Sequence, residues 1–345
     1  LFPGPGGGGA VPPLRLRQEV LTVKTRYYAA PMEGVTGAMW RRTHQKYFPG
    51  ADQYYTPFLT PTQAQKLTPR EKRELLPEYN GSAVLVPQIM TRQAENFIWC
   101  AGAMGELGYE EVNLNLGCPS ATVVTKGKGA GMLADLDALR RFLEGVFSAG
   151  LDMKISVKTR LGLETPEEFT AILAVLREFP LSELIVHPRV RRDMYTGPCR
   201  LEWYAAAVEK SPFPVCYNGD VLSPGDRDGV LARFPQTAAV MVGRGLLADP
   251  ALIRKLQGGP GADRDTLAAF VGELYEEYVA AFRSRGNAML RMKEVWYYHI
   301  HLFEGGEKLA KRLRRTTDRA EYCAAVQEIY RTLPLREHAV QGWTG

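Results

Sequence analysis

Eight short apolar runs, each followed by a polar or glycine-bearing turn and then by helical spacing, constrain this chain more than any other feature. The runs are residues 27–30, 52–55, 83–86, 111–116, 154–157, 184–186, 215–217 and 239–242. Strands buried on both faces read as continuous apolar stretches, and strands alternating with helical patterns indicate parallel βα units. Eight such units close a (β/α)8 TIM barrel. The expected fold is therefore α/β, with a barrel over 26–257. A linker, Gly258-Gly259-Pro260-Gly261, leads to an all-helical C-terminal domain over 263–345, where no strand pattern recurs. A doubly wound open sheet is the competing arrangement.

Helical patterns over 38–47, 93–107 and 135–149 fill the gaps between runs, and Thr165-Pro166 predicts an N-cap followed by proline at the first helical position. The turns after the third, fifth and sixth runs are expected at Pro87-Gln88, at Lys158-Thr159-Arg160 and at His187.

Composition narrows the class. Among 345 residues, 45% are hydrophobic and 23% charged, as in ordinary globular proteins. The net charge of +5 permits a polyanionic partner without demanding one. Five cysteines with no C-x-x-C pair suggest neither a disulfide framework nor a zinc site, which fits a reducing, cytoplasmic setting. No apolar run approaches the roughly 20 residues that span a bilayer. Residues 1–25, rich in Gly and Pro near their start, read as a flexible leader, an appended segment or a truncated start rather than a signal peptide.

In a barrel, sites are built from the loops at the C-terminal ends of the strands. Cys118, in Asn115-Leu116-Gly117-Cys118-Pro119, stands there as a general acid, a nucleophile or a buried structural thiol. Asn115 offers the donor and acceptor that suit the amide-like edge of a pyrimidine. Lys158 and Arg160 alternate and so face one way, where they need an anion or barrel carboxylates. His187 ends the sixth run as a cofactor donor or a satisfied core histidine. Asn218-Gly219-Asp220 and Gly243-Arg244-Gly245 follow runs seven and eight, where barrels often bind phosphate. Residues 126–131 form a glycine-rich loop near Cys118 that grips a ligand or acts as a plain lid. His299 and His301, two apart in a helical stretch, diverge and make a poor metal pair. There is no G-x-G-x-x-G after the first run and no Walker loop.

These motifs, taken in order, resemble the tRNA-dihydrouridine synthase family: Ala30-Pro31-Met32-Glu33-Gly34-Val35-Thr36, Val86-Pro87-Gln88, Asn113 through Ser120, Val157-Lys158-Thr159-Arg160-Leu161-Gly162, His187-Pro188-Arg189, Asn218-Gly219-Asp220 and Val242-Gly243-Arg244-Gly245. The resemblance implies FMN held by Pro31, Met32, Gln88, Lys158, His187, Asn218, Gly219, Asp220, Gly243 and Arg244. It implies Cys118 as proton donor to uracil C5, Asn115 as a uracil contact, NADPH or NADH as reductant, and the helical domain as a tRNA-binding module. The expected protein is a cytoplasmic monomer without a metal or membrane partner. One departure is Pro188, where many members carry Gly. The arginine-rich loop that follows is expected to face the substrate through Arg189 and Tyr195. In the tail, Leu290-Arg291-Met292-Lys293 is expected to open a helix, and Lys308, Lys311, Arg312, Arg314, Arg315 and Arg319, with Asp318 nearly alone against them, form a candidate phosphate-contact surface. The rival readings are an FMN barrel acting on a free pyrimidine, like dihydroorotate dehydrogenases, and a non-catalytic RNA-binding relic.

Overall fold

The computed structural model describes residues 24–343; the predicted leader lies almost wholly outside them. Nine parallel strands form one nearly closed barrel: β1 Arg26–Ala29, β2 Gln53–Tyr55, β3 Leu85–Val86, β4 Gln88–Ile89, β5 Glu111–Leu116, β6 Lys154–Arg160, β7 Leu184–His187, β8 Val215–Tyr217 and β9 Ala239–Val242. The ninth strand does not add a ninth βα unit. Pro87 has no backbone N–H to give to the ladder, so β3 stops at Val86 as expected, but a second short strand, β4, resumes directly beyond it. β3 pairs with β2, whereas β4 pairs with β5 through Gln88 opposite Asn113. The turn expected at Pro87-Gln88 is thus a break between two short strands.

Two other strands overrun their expected ends. β6 continues through Lys158 to Arg160, and β7 includes His187. Of the polar residues that look like terminators, Lys158, Arg160 and His187 line the cavity at the barrel mouth, so they extend the ladder. Alternation sorts the rest. Tyr28, Ala30, Tyr55, Val86, Ile185, Cys216, Ala239 and Met241 pack together, apart from the larger core that holds Tyr27, Ala29, Val112, Leu114 and Val240. A parallel strand needs two such covered faces.

The predicted helices form, with caps that explain their starts. Asp135 accepts from the Ala138 N–H ahead of Leu136–Ser148, and Ser223 caps Pro224–Arg233 with proline in the first turn. The cap expected at Thr165 does not form. The helix there is Glu168–Leu176, and the Glu168 carboxylate reaches back to accept from Leu163, Glu164 and Thr165 backbone N–H groups, each at 2.8 Å.

Beyond the barrel, helices Arg264–Phe282, Arg285–His299, Glu307–Arg315 and Arg319–Thr332 follow, so 290–293 lies inside a helix instead of opening one. Phe270 docks against the first barrel helix, Ala38–Tyr47, edge-on to Phe48 at 5.4 Å. Lys46 pairs with Glu273 at 2.7 Å beside it. His299 is buried, bonded to Ala248 O and to the Tyr330 hydroxyl, so it holds the tail to the barrel. Among the described residues no three His, Cys, Asp or Glu side chains gather as metal ligands, and no helix is long and apolar enough to cross a membrane.

Candidate active site

A cavity of about 600 Å³ opens where the βα loops gather, a size within the usual range for cofactor and ligand pockets. It is lined by Pro31 and Met32 after β1, Gln88 in β4, Asn115 and Cys118 at the end of β5, and Lys158 in β6. His187 in β7, Tyr195, Asn218, Gly219 and Asp220, and Gly243 with Arg244 complete the sequence-predicted set around it. Arg189 is set apart.

The Cys118 turn is clamped on every side. Asn115 Oδ1 accepts from the Gly117 N–H at 3.0 Å and from the Cys118 N–H at 2.9 Å. Arg160 Nε donates to Gly117 O at 2.9 Å, Arg191 Nε donates to Pro119 O at 3.3 Å, and the Ala130 N–H donates to Cys118 O at 3.1 Å. The glycine-rich loop approaches this closely because it has no side chains there. A Cβ on Gly129 would stand 2.9 Å from Cys118 Cβ, and one on Gly131 would stand 2.7 Å from Val124 O. This loop packs on the cysteine turn.

Asn115 is fixed from behind. Its Nδ2 donates to Gln88 Oε1 at 2.7 Å, Gln88 Nε2 donates to Asn113 Oδ1 at 2.8 Å, and Asn113 Nδ2 donates to Ser156 Oγ at 3.0 Å. Each member of this buried network finds a partner, which makes the network a rigid support. It also spends both ends of the Asn115 amide on the protein, so the positioning of Cys118 is the first thing Asn115 does.

The charges are asymmetric. Burial and then the neighbouring Arg160 lower the Lys158 pKa to about 8. No hydrogen bond or ion pair engages its ammonium among the described residues. Arg160, by contrast, spends Nε and Nη1 on the carbonyls of Gly117 and Val190. His187 is held well below the ordinary histidine pKa, by burial first and then by Arg160, Lys158, Arg189 and Arg244. Arg189 Nη1 lies 3.1 Å from His187 Nε2. A guanidinium only donates, so Nε2 is the acceptor and the neutral ring carries its proton on Nδ1. Burial pushes the Cys118 thiol up, against the opposing pull of the Ser120 backbone, Arg160 and Lys158.

Arg189 is fully buried and does not line the cavity. It ties the Asp220 carboxylate to the carbonyls of Thr196 and Gly197. Arg244 donates to the same carboxylate, to Asp220 Oδ1 at 2.6 Å, and to Tyr195 O at 3.1 Å. Tyr195 therefore lies between two guanidiniums, Arg160 at 5.0 Å and Arg244 at 5.2 Å from its ring centre. The loop takes a strained turn at Met194, a non-glycine residue with φ 53°.

The residues fit an anionic, phosphate-bearing aromatic cofactor. Two close approaches at the mouth admit only glycine: a Cβ on Gly219 would meet the Tyr217 hydroxyl at 2.1 Å, and one on Gly245 would meet Val221 O at 2.3 Å. Lys158 and the His187 Nδ1–H supply donors toward the cavity.

Several lining residues escape the sequence reading. Pro57 and Phe58 follow β2 on the same face, and that placement alone could have flagged them. Tyr298, Gln341 and Trp343 come from the helical tail. Trp343 is buried against Tyr298 at 5.7 Å and under Arg244 at 5.8 Å, an arrangement with no local sequence signal.

A family model described as dihydrouridine synthase (Dus) matches residues 28–333. A probable tRNA-dihydrouridine synthase 1 from Synechocystis is 28% identical over 69% of this chain and 66% of its own length. A tRNA-dihydrouridine synthase B from Pseudomonas aeruginosa is 25% identical over 90% of this chain and 94% of its own. Among solved structures, one described as TcOYE with pHBA superposes with a TM-score of 0.51 at 11% identity, covering 70% of this chain and 91% of that one; it supports the barrel fold.

Proposed function

The chain belongs to the dihydrouridine synthase family, and on that premise we propose that it reduces the C5–C6 double bond of a uridine in tRNA, using FMN as resident cofactor and NADPH or NADH as reductant. Residues 26–257 form the catalytic domain and 263–345 the tRNA-binding domain. The protein works in the cytoplasm as a monomer and without a metal. The observation that carries this reading is the clamped Cys118 turn, which stands in one cavity with the neutral His187 and the Lys158 ammonium, unpaired among the described residues.

Reduction of the double bond adds a hydride equivalent at C6 and a proton at C5. When bound, reduced FMN supplies the hydride equivalent. Cys118 holds the proton at Sγ. Burial keeps the thiol protonated at neutral pH, and Lys158 and Arg160 lower the cost of the thiolate left after transfer. Asn115, Gly129 and Arg160 keep the sulfur in place. Lys158, the His187 Nδ1–H and the glycine turns at 219 and 243 bind the cofactor, and Tyr195 stacks beside the substrate. A uridine stacked in tRNA must be extruded to reach this cavity, which costs a few kcal/mol and is offset by contacts elsewhere on the RNA.

The test is anaerobic. FMN-loaded protein is reduced with NADPH, and an unmodified tRNA transcript, free uracil or orotate is added. Flavin absorbance returns with the transcript. Return with free uracil or orotate alone would assign the barrel to a free pyrimidine.

A further inference from the structure

Three cations stand together on the barrel side of the cavity rim. Arg92 precedes the helix Ala94–Glu106, and Lys126 and Lys128 belong to the glycine-rich loop that packs on the Cys118 turn. A Cβ on Gly127, between the two lysines, would lie 3.5 Å from Arg92 Cδ and 3.6 Å from Arg92 Nη1, so guanidinium and loop are in close approach. Gly127 itself has φ +63°, a backbone turn that favours glycine.

Among the described residues no carboxylate pairs with these charges. Among the described residues none of the three side chains makes a hydrogen bond or ion pair. Partial burial first, and then the neighbouring charges of Lys126 and Arg92, hold the Lys128 pKa below the ordinary lysine value. A like-charge cluster costs free energy unless an anion completes it. The loop cannot swing away to relieve the repulsion. Lys128 N donates to Val123 O at 3.2 Å, Ala130 N donates to Cys118 O at 3.1 Å, and Gly129 and Gly131 are packed against Cys118 and Val124. The cations are thus held one turn from the cysteine, beside Thr122 and Val123 of the cavity wall.

We propose that Arg92, Lys126 and Lys128 form a phosphate subsite that grips the RNA backbone next to the extruded uridine. The inference rests on the functional reading above and adds to it an anchoring point on the barrel, apart from the basic face of the tail. Anchoring the flanking phosphates at the rim makes extrusion of the base into the cavity easier, because backbone and thiol are positioned by the same loop.

The experiment compares FMN-loaded parent protein with a triple variant, Arg92→Ala, Lys126→Ala and Lys128→Ala. The control removes three exposed cations from the outer barrel helices: Arg141→Ala, Arg177→Ala and Lys210→Ala. Binding of an unmodified tRNA transcript is measured over a range of KCl. The rim variant should bind at least tenfold more weakly, and its log K against log salt slope should shrink by about 2 to 3, one for each phosphate that is no longer neutralised. Its flavin content and rate of flavin reduction by NADPH should match the parent, and the control should keep the parent's slope. Equal slopes for rim variant and parent would overturn the subsite. So would a raised KM for NADPH with unchanged tRNA binding, which would assign the cations to the nucleotide phosphates. A parent that binds no tRNA would instead sink the functional reading, and the subsite with it.

Discussion

The carboxamide oxygen of Asn115 accepts the backbone N–H of Cys118 at 2.9 Å, and the same side chain donates to Gln88 at 2.7 Å. The thiol is therefore aimed by a network that begins in the barrel core. Asn115→Ala removes the acceptor for two N–H groups and orphans Gln88 Oε1. Turnover should fall about 10- to 100-fold, the range expected when a reacting group is displaced by about 1 Å, while flavin content stays near the parent's. Steady-state kinetics with a tRNA transcript checks this.

Cys118 acts as an acid, so it must be protonated to work. Burial raises its pKa, so the thiol should keep its proton through neutral pH and give its own alkaline limb above the ordinary thiol range, beyond the limb near 8 that Lys158 contributes. In Cys118→Ser the thiol's limb should vanish, the one near 8 should stay, and turnover should drop by about 10²- to 10⁴-fold. A pH profile of single-turnover flavin reoxidation reads both effects.

Glu183 gives a stability prediction independent of catalysis. It is buried below β7, accepts from the Tyr28 hydroxyl at 3.2 Å and from Arg26 Nη2 at 2.8 Å, and has a pKa raised to about 7, chiefly by burial. The folded state thus binds this proton more tightly than the unfolded chain does. The resulting stabilisation is full below about pH 4.3 and is lost as pH rises through about 7. Glu183→Gln removes the titration, so its stability relative to the parent should climb by about 4 kcal/mol across that window. Denaturant melts at a series of pH values would show it; a difference independent of pH would refute it.

How far the sequence discloses all this depends on the range of each signal. Strand identity is local, and the apolar runs mark every strand except β4, which lies just past the third run. Strand ends are not local: Arg160 and His187 look like terminators until the barrel mouth receives them, and Pro87 looks like an end until β4 resumes beyond it. Thirteen of the fourteen site residues chosen from sequence line one cavity, because each sits just inside or beyond the end of a parallel strand. Arg189 shares that placement but turns into the protein, toward the Asp220 carboxylate beyond β8 and the carbonyls of Thr196 and Gly197. Trp343 is legible from no pattern, since it reaches Arg244 through tertiary packing alone.

That packing makes a further prediction. Trp343→Ala removes the indole that covers Arg244 and Tyr298 and opens the cavity wall, so FMN should be held about tenfold less tightly, whereas Trp343→Phe should keep most of the affinity. Flavin release on dilution, followed by fluorescence, measures the difference.

The tail presents a basic stripe whose spacing now has a reason. Leu309 and Leu313 face inward on the helix Glu307–Arg315, which leaves Lys308, Lys311, Arg312 and Arg315 on one exposed face at i, i+3, i+4 and i+7. The stripe is less isolated than Asp318 alone would suggest, since Glu328 pairs with Arg312 and Glu276 with Arg319 at 3.0 Å. Reversing Lys308, Lys311 and Arg315 to Glu should weaken tRNA binding most at low salt and progressively less as salt rises. Titrations at two KCl concentrations decide it.

The most direct measurement is mass mapping of a tRNA transcript after incubation with FMN-loaded protein and NADPH. One uridine should gain two hydrogens with the parent protein, and the gain should be lost or greatly slowed with Cys118→Ala that still carries its flavin. A transcript left unreduced by the parent, or reduced equally well without the thiol, would contradict the account.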